Sequence, residues 1–193
     1  MDILTLIKNR RTIRKYTNKP IPKKVLDKII EAGVWGPSIH HWQPQKFIVI
    51  TNKKVINKIA NIVIKKLKLI KMSNFVLGPT CNSLINAKVL ICIYNSKIFS
   101  NFVKKFGKEY YKNAKTVELL AIAATIQNMI LVADYLGVGS CWLSSLLYCS
   151  KEIASILKIN DAELVAVVTL GYPNEEGKRS PRKSIKDVLK LID

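Results

Sequence analysis

The spacing of apolar residues changes several times along this 193-residue chain, and each change marks an element. Ile3, Leu6 and Ile7 share one face of a short helix over residues 3–9, behind an Asp2 placed to accept from the free amides of its first turn. Val25, Leu26, Ile29 and Ile30 form a second helical stripe, beginning at Pro22 and running to about residue 32, with Gly33 as its expected stop. Residues 36–45 hold two prolines and no period, which predicts a loop. The unbroken run Phe47-Ile48-Val49-Ile50 predicts a buried strand over residues 46–51. A lysine-rich amphipathic helix follows over residues 53–72, turning Ile56, Ile59, Val63, Leu67 and Ile70 inward. Further strands are expected at residues 88–94, 138–143 and 163–172, and a short helix at 150–157. Ser184 with Asp187 forms a capping pair for a last short helix containing Ile185, Val188 and Leu189.

Residues 116–136 differ from all of these, because the apolar positions run almost all the way round the expected helix. Such a helix is buried. A single domain spanning residues 1–193, the expectation at this length, has little room to surround it, so a second copy of the chain is a natural cover. A bilayer is a poorer host: the apolar run from Leu119 to Val132 carries Gln127 and Asn128 in its middle and is flanked by Glu118 and Asp134.

Composition changes the picture in one respect. Lys and Arg total 32 against 13 Asp plus Glu, a formal charge of +19, which admits nucleic acid as a partner through counterion release from phosphate. The basic residues are scattered rather than blocked, and abundant Lys, Ile and Asn together point to coding bias and solvated helix faces. Only 5 of the 32 are Arg, grouped as Arg10, Arg11 and Arg14 near one end and Arg179 and Arg182 near the other. Arg presents a rigid fork for phosphate or carboxylate, so the two ends are expected to converge on one anion.

Other chemistry finds little support. No Gly-x-Gly-x-x-Gly or Walker loop occurs, and Gly137-Val138-Gly139 precedes a strand rather than a helix. No Gly-x-Ser-x-Gly elbow, no HExxH and no loop carboxylate pair is present. Cys81, Cys92, Cys141 and Cys149 lack CxxC spacing, and the two histidines, His40 and His41, are adjacent, so no metal site is expected and four reduced thiols in the cytoplasm are. Cations, backbone amides and aromatics remain, a set suited to holding an anionic cofactor that brings its own chemistry.

Six segments then carry a resemblance: Arg10-Arg11-Thr12-Ile13-Arg14-Lys15-Tyr16; Pro20-Ile21-Pro22; Gly36-Pro37-Ser38-Ile39-His40-His41-Trp42-Gln43-Pro44; Ala123 to Met129; Leu136-Gly137-Val138-Gly139-Ser140-Cys141-Trp142-Leu143; and Gly171-Tyr172-Pro173. In order and spacing, from residue 2 to about 190, the chain resembles the FMN-dependent nitroreductase family. That resemblance implies an α+β fold, with a central mixed or antiparallel sheet of about four to five strands between helices. It implies a homodimer built on a buried long helix, FMN at the subunit interface, NAD(P)H as donor and an electron-poor small molecule (nitroaromatic, quinone or similar) as acceptor, in ping-pong order. No side chain is assigned to catalysis, the chemistry lying at N5 of FMN.

The same resemblance assigns Arg10, Arg11 and Thr12 to the FMN phosphate and ribityl chain, Arg14 to the pyrimidine edge, and Arg182, with Arg179 or Lys183, to closing on the phosphate. Trp142, Leu143, Ser144 and Ser145 would turn backbone amides toward the ring. Pro37, Ser38, Ile39 and His41 would cover it from the other subunit, and Gln43 is also assigned to binding the cofactor. His41 stands in an Asn slot, Gln45 in a Trp slot and Ser144 where Gly is common. The aromatics Phe99, Phe102, Phe106, Tyr110 and Tyr111 either cap the flavin or pack on the core. Two other readings predict different behaviour: an FMN storage or sensing protein binds flavin without turnover, and a nucleic-acid-binding domain binds none.

Overall fold

The computed structural model describes residues 2–192. Its centre is a fully antiparallel sheet of four strands in the order β1-β2-β4-β3. These are β1 (Gln45–Ile50), β2 (Val89–Asn95), β3 (Gly139–Leu143) and β4 (Glu163–Gly171). The two central strands read as continuous apolar runs because both of their faces are covered. Leu90, Cys92 and Tyr94 of β2 point into one core, and Val89, Ile91 and Ile93 into the other. Opposite them β4 keeps its alternation through a bulge: Ile93 pairs with Ala166 and Tyr94 with Leu164, leaving Val165 as the extra residue.

The first core is closed by α3 (Lys53–Leu69), α4 (Asn74–Asn86) and α7 (Ser150–Leu157). Ile56, Ile59, Ala60, Val63 and Leu67 form the buried stripe of α3, whose first turn is capped by the Asn52 side chain accepting from Lys54 and Val55. The second core is closed by α2 (Lys23–Val34) and α6 (Lys108–Tyr135). A short α1 (Ile3–Asn9), capped by Asp2 as its sequence suggests, leads in; α5 (Ile98–Val103) joins β2 to α6.

Several boundaries differ from the expectation, each for a physical reason. The helix α4 has no apolar period to betray it, since two of its buried residues are Thr80 and Ser83. They are accommodated because Thr80 bonds the Ser145 hydroxyl at 2.9 Å and Ser83 the Thr169 hydroxyl at 2.6 Å. Helix α6 starts at Lys108 rather than 116, its first two turns being polar and mostly exposed. Helix α2 runs through Gly33, which is a contact point and not a stop: a Cβ there would lie 2.8 Å from Met129 Cγ and 3.0 Å from Phe47 Cζ. The last helix is one 3-10 turn, Ile185–Asp187, carrying the expected capping box.

By length and apolarity α6 is the one helix among the described residues able to cross a bilayer. In the fold it buries Ile122, Ile126, Met129 and Ile130 against α2 and the sheet, while Leu119 and Leu120 face outward. About three turns into it the fully buried Glu118 accepts hydrogen bonds from the backbone N–H groups of Phe99 (2.9 Å) and Ser100 (3.0 Å) and from Asn95 Nδ2 (3.0 Å). One carboxylate thus ties the end of β2, the start of α5 and α6 together.

Candidate functional site

The segment between α1 and α2 lies along the outer edge of β3 and places the arginines. Ile13 donates its amide to Ser140 (2.9 Å), and Thr12 pairs with Ser140 as a single parallel bridge. Tyr16 is buried, its hydroxyl donating to the Ile13 carbonyl (2.6 Å) and lying 2.8 Å from Thr169 Oγ1; burial pushes its pKa further up. Ile13 and Tyr16 point inward, and the residues between and around them face a cleft.

The returning end of the chain closes the same cleft. Thr17 donates to Tyr172 (2.8 Å), Asn174 to Lys15 (2.9 Å), and Arg14 and Lys15 both donate their amides to Glu175 Oε1, at 2.6 and 3.1 Å. Gly177 crosses over Arg11 so closely that a Cβ there would clash with Arg11 Cβ. The cleft has two lobes. One, about 570 Å³, is lined by Arg10, Arg11, Thr12, Arg14 and Arg182, with Gly78 and Asn82 of α4 opposite. The other, about 560 Å³, lies between the N-terminal part of α4 and residues Cys141–Ser145. Arg14, Pro79 and Lys178 belong to both.

The two ends of the chain therefore do converge on one cationic cleft. Lys178, not Arg179 or Lys183, joins Arg182 there. Arg11 has a second task, its Nη1 donating to the carbonyls of Lys8 (2.6 Å) and Arg10 (2.7 Å) at the end of α1. Arg14 has no ion pair among the described residues, and its Nε is buried without a hydrogen-bond partner. Such a group is costly unless something accepts from it. Under it Cys141 is buried, which pushes its thiol pKa up despite the nearby guanidinium of Arg14. Trp142 is 41% exposed, so it forms a wall of the second lobe rather than part of the core. Ser144 and Ser145 line the same lobe.

Pro37, Ser38, Ile39, His41 and Gln43 line neither lobe. They form a tight turn before β1 in which His40, His41 and Gln43 all have positive φ (41°, 60° and 45°). Left-handed backbone at three non-glycine residues within four positions is strained, and strain of this kind collects at functional sites. It is held by Gln43 N donating to Ser38 Oγ (3.3 Å) and Gln43 Nε2 lying 3.0 Å from His41 Nε2. Trp42 and Ile39 pack against Phe99 and Val103. From there aromatic contacts pass through Phe102 and Phe106 to Tyr110, so these aromatics form a cluster with the turn, and Phe102, Phe106 and Tyr110 are its exposed members.

Sequence reasoning missed Lys178, Asn82, Phe75 and Glu175. Lys178 and Glu175 sit in the tail the arginines had marked, beside Gly171-Tyr172-Pro173; Asn82 and Phe75 were lost with α4.

The nitroreductase family model matches residues 7–172, and the chain belongs to that family of oxidoreductases. A protein of Methanothermobacter thermautotrophicus named "Putative NADH dehydrogenase/NAD(P)H nitroreductase" is 28% identical over 180 residues, covering 91% of this chain and 79% of that one. Among solved structures, a BluB-like flavoprotein from Clostridium difficile superposes with a TM-score of 0.82 at 24% identity, covering all of both chains. A "putative nitroreductase in complex with fmn" from Desulfovibrio desulfuricans superposes with a TM-score of 0.76 at 23% identity, over 100% of this chain and 98% of that one. At these identities the structures establish the shared fold.

Proposed function

We propose that the chain is an FMN-dependent NAD(P)H oxidoreductase that reduces electron-poor small molecules and works as a cytoplasmic homodimer. The observation that carries this is the cleft itself: Arg10, Arg11, Arg182 and Lys178 crowd one lobe, and Arg14 leads from it to the aromatic wall at Trp142. The residues fit the cofactor, because the orphaned Arg14 Nε and a surplus of guanidinium groups call for an anionic, hydrogen-bond-accepting ligand.

When bound, FMN supplies the hydride chemistry, taking two electrons from NAD(P)H and passing them to the acceptor. Arg10, Arg11, Lys178 and Arg182 hold the phosphate, with Thr12 toward the ribityl chain. Arg14, which lines both lobes, would set a cation against the bound group and favour gain of negative charge there. Trp142, Leu143, Ser144 and Ser145 wall the ring and turn amides toward it. Pro37, Ser38, Ile39, His41 and Gln43 complete the pocket from a second subunit, which is consistent with their lining no part of the cleft within one chain. One seat then serves donor and acceptor in turn, a ping-pong order.

The dimer draws support from apolar side chains that one chain leaves uncovered: Ile3, Leu4 and Ile7 on α1, Leu119 and Leu120 on α6, and Val188, Leu189, Leu191 and Ile192 in the tail. The assignment is tested by visible spectroscopy of purified protein supplied with FMN, before and after anaerobic NADH or NADPH. About one flavin per subunit, bleaching within seconds, is the expected result. Binding without bleaching moves the protein to flavin storage or sensing, and no binding removes the cofactor.

A further inference from the structure

The cleft contains a charge of the wrong sign. Glu175 and Glu176 both line the lobe crowded with cations, although an anionic ligand gains nothing from a neighbouring carboxylate. The two are not equivalent. Glu175 Oε1 accepts from the amides of Arg14 and Lys15 (2.6 and 3.1 Å), whereas Glu176 makes no hydrogen bond among the described residues. Around Glu175 the chain ends are zipped by Thr17 to Tyr172, Asn174 to Lys15 and the crossing of Gly177 over Arg11.

Glu175 therefore holds the backbone on both sides of the Arg14 Cα. Arg14 has no ion pair of its own, and its side chain reaches both lobes. We propose that Glu175 is a positioning residue: by gripping the Arg14 and Lys15 amides it aims the Arg14 guanidinium at the junction of the two lobes, where it meets the flavin. This rests on the flavin reading above. The carboxylate is needed because charge-assisted bonds hold the two amides about twice as strongly as a neutral acceptor would, and that grip outweighs the repulsion it adds.

The two roles predict opposite signs for one substitution. If Glu175 were only a bystander charge, Glu175→Gln would remove repulsion and tighten FMN binding. If Glu175 is a positioning residue, Glu175→Gln weakens binding by about 10-fold, the difference between a charged and a neutral acceptor, while Glu176→Gln leaves it unchanged or tighter. Apo-protein is titrated with FMN by quenching of flavin fluorescence for wild type, Glu175→Gln, Glu176→Gln, Arg14→Ala and the Glu175→Gln/Arg14→Ala double variant. Because Glu175 acts through Arg14, the double variant binds no more weakly than Arg14→Ala alone, and the midpoint potential of bound flavin moves negative in Glu175→Gln. Binding in Glu175→Gln as tight as wild type or tighter overturns the inference. So does an additive double variant, the signature of a merely structural acid. A wild-type chain that leaves FMN fluorescence unchanged overturns the flavin reading beneath it.

Discussion

Two residues show how much of this site rests on single atoms. Gly177 lies where the tail crosses Arg11, and a methyl group there would clash with Arg11 Cβ, a side-chain atom that no rotamer change can move aside. Gly177→Ala must displace either the tail or the arginine segment. The expected outcome is FMN binding weakened by about 10-fold or more, since misplacement by an ångström is costly, with little change in the urea midpoint because the crossing lies outside both cores. Flavin titration and a denaturation curve read the two quantities separately. The thiols make a second case. Burial raises all four thiols, Cys92 to about 12, so access separates them: Cys92, Cys141 and Cys149 are shielded inside the fold. Cys81 is only half-buried. A chromogenic disulfide reagent is expected to titrate one thiol quickly in the native protein and four in denaturant, and a Cys81→Ser variant to lose the fast phase.

Among the elements, those with a regular apolar period were legible from sequence and those stabilised by polar contacts were not. The stripe of α3 and the continuous runs of β2 and β4 announce themselves, because burial there is achieved by hydrophobic side chains alone. Helix α4 buries Thr80 and Ser83 through side-chain hydrogen bonds to other elements, which no local pattern records. The arginine half of the cleft was legible because so few of the cations are Arg; the α4 half was lost with the helix, and Glu175 could not be told from a solvated acid. Helix α5 depends on Glu118 in the same non-local way, as no side chain of its own caps it. Glu118→Ala leaves the Phe99 and Ser100 amides without an acceptor in a buried place, a loss of about 2–4 kcal/mol. Glu118→Gln keeps one acceptor oxygen and is expected to cost less than half as much. Urea unfolding of the three proteins measures this order, and equal losses would deny Glu118 its capping role.

At the scale of the whole molecule, charge and apolar surface oppose each other. Each chain carries a formal +19, so two copies repel at long range, while α1, α6 and the tail offer apolar side chains that only another surface can cover. Leu120 is 64% exposed on α6, outside both cores. Leu120→Lys is therefore expected to leave the circular dichroism of the fold intact and to shift sedimentation from dimer to monomer, burial of a Leu being worth about 1.5–3 kcal/mol per copy. In the proposed dimer the same variant is expected to lose flavin affinity, since the turn with Ser38 and His41, which lines no part of the cleft in a single chain, would no longer be brought to it by a second copy. Salt separates the two effects. Raising ionic strength from about 0.05 M to about 0.5 M shortens the screening length to a few ångströms. Dimerisation of like-charged chains should strengthen under that change, and FMN binding, measured at protein concentrations where the dimer is saturated, should weaken because its phosphate meets guanidinium groups. If both equilibria move in the same direction, either the interface is held by ion pairs rather than by the apolar faces of α1 and α6, or the anion does not sit among Arg10, Arg11 and Arg182; which of the two signs is reversed tells the cases apart.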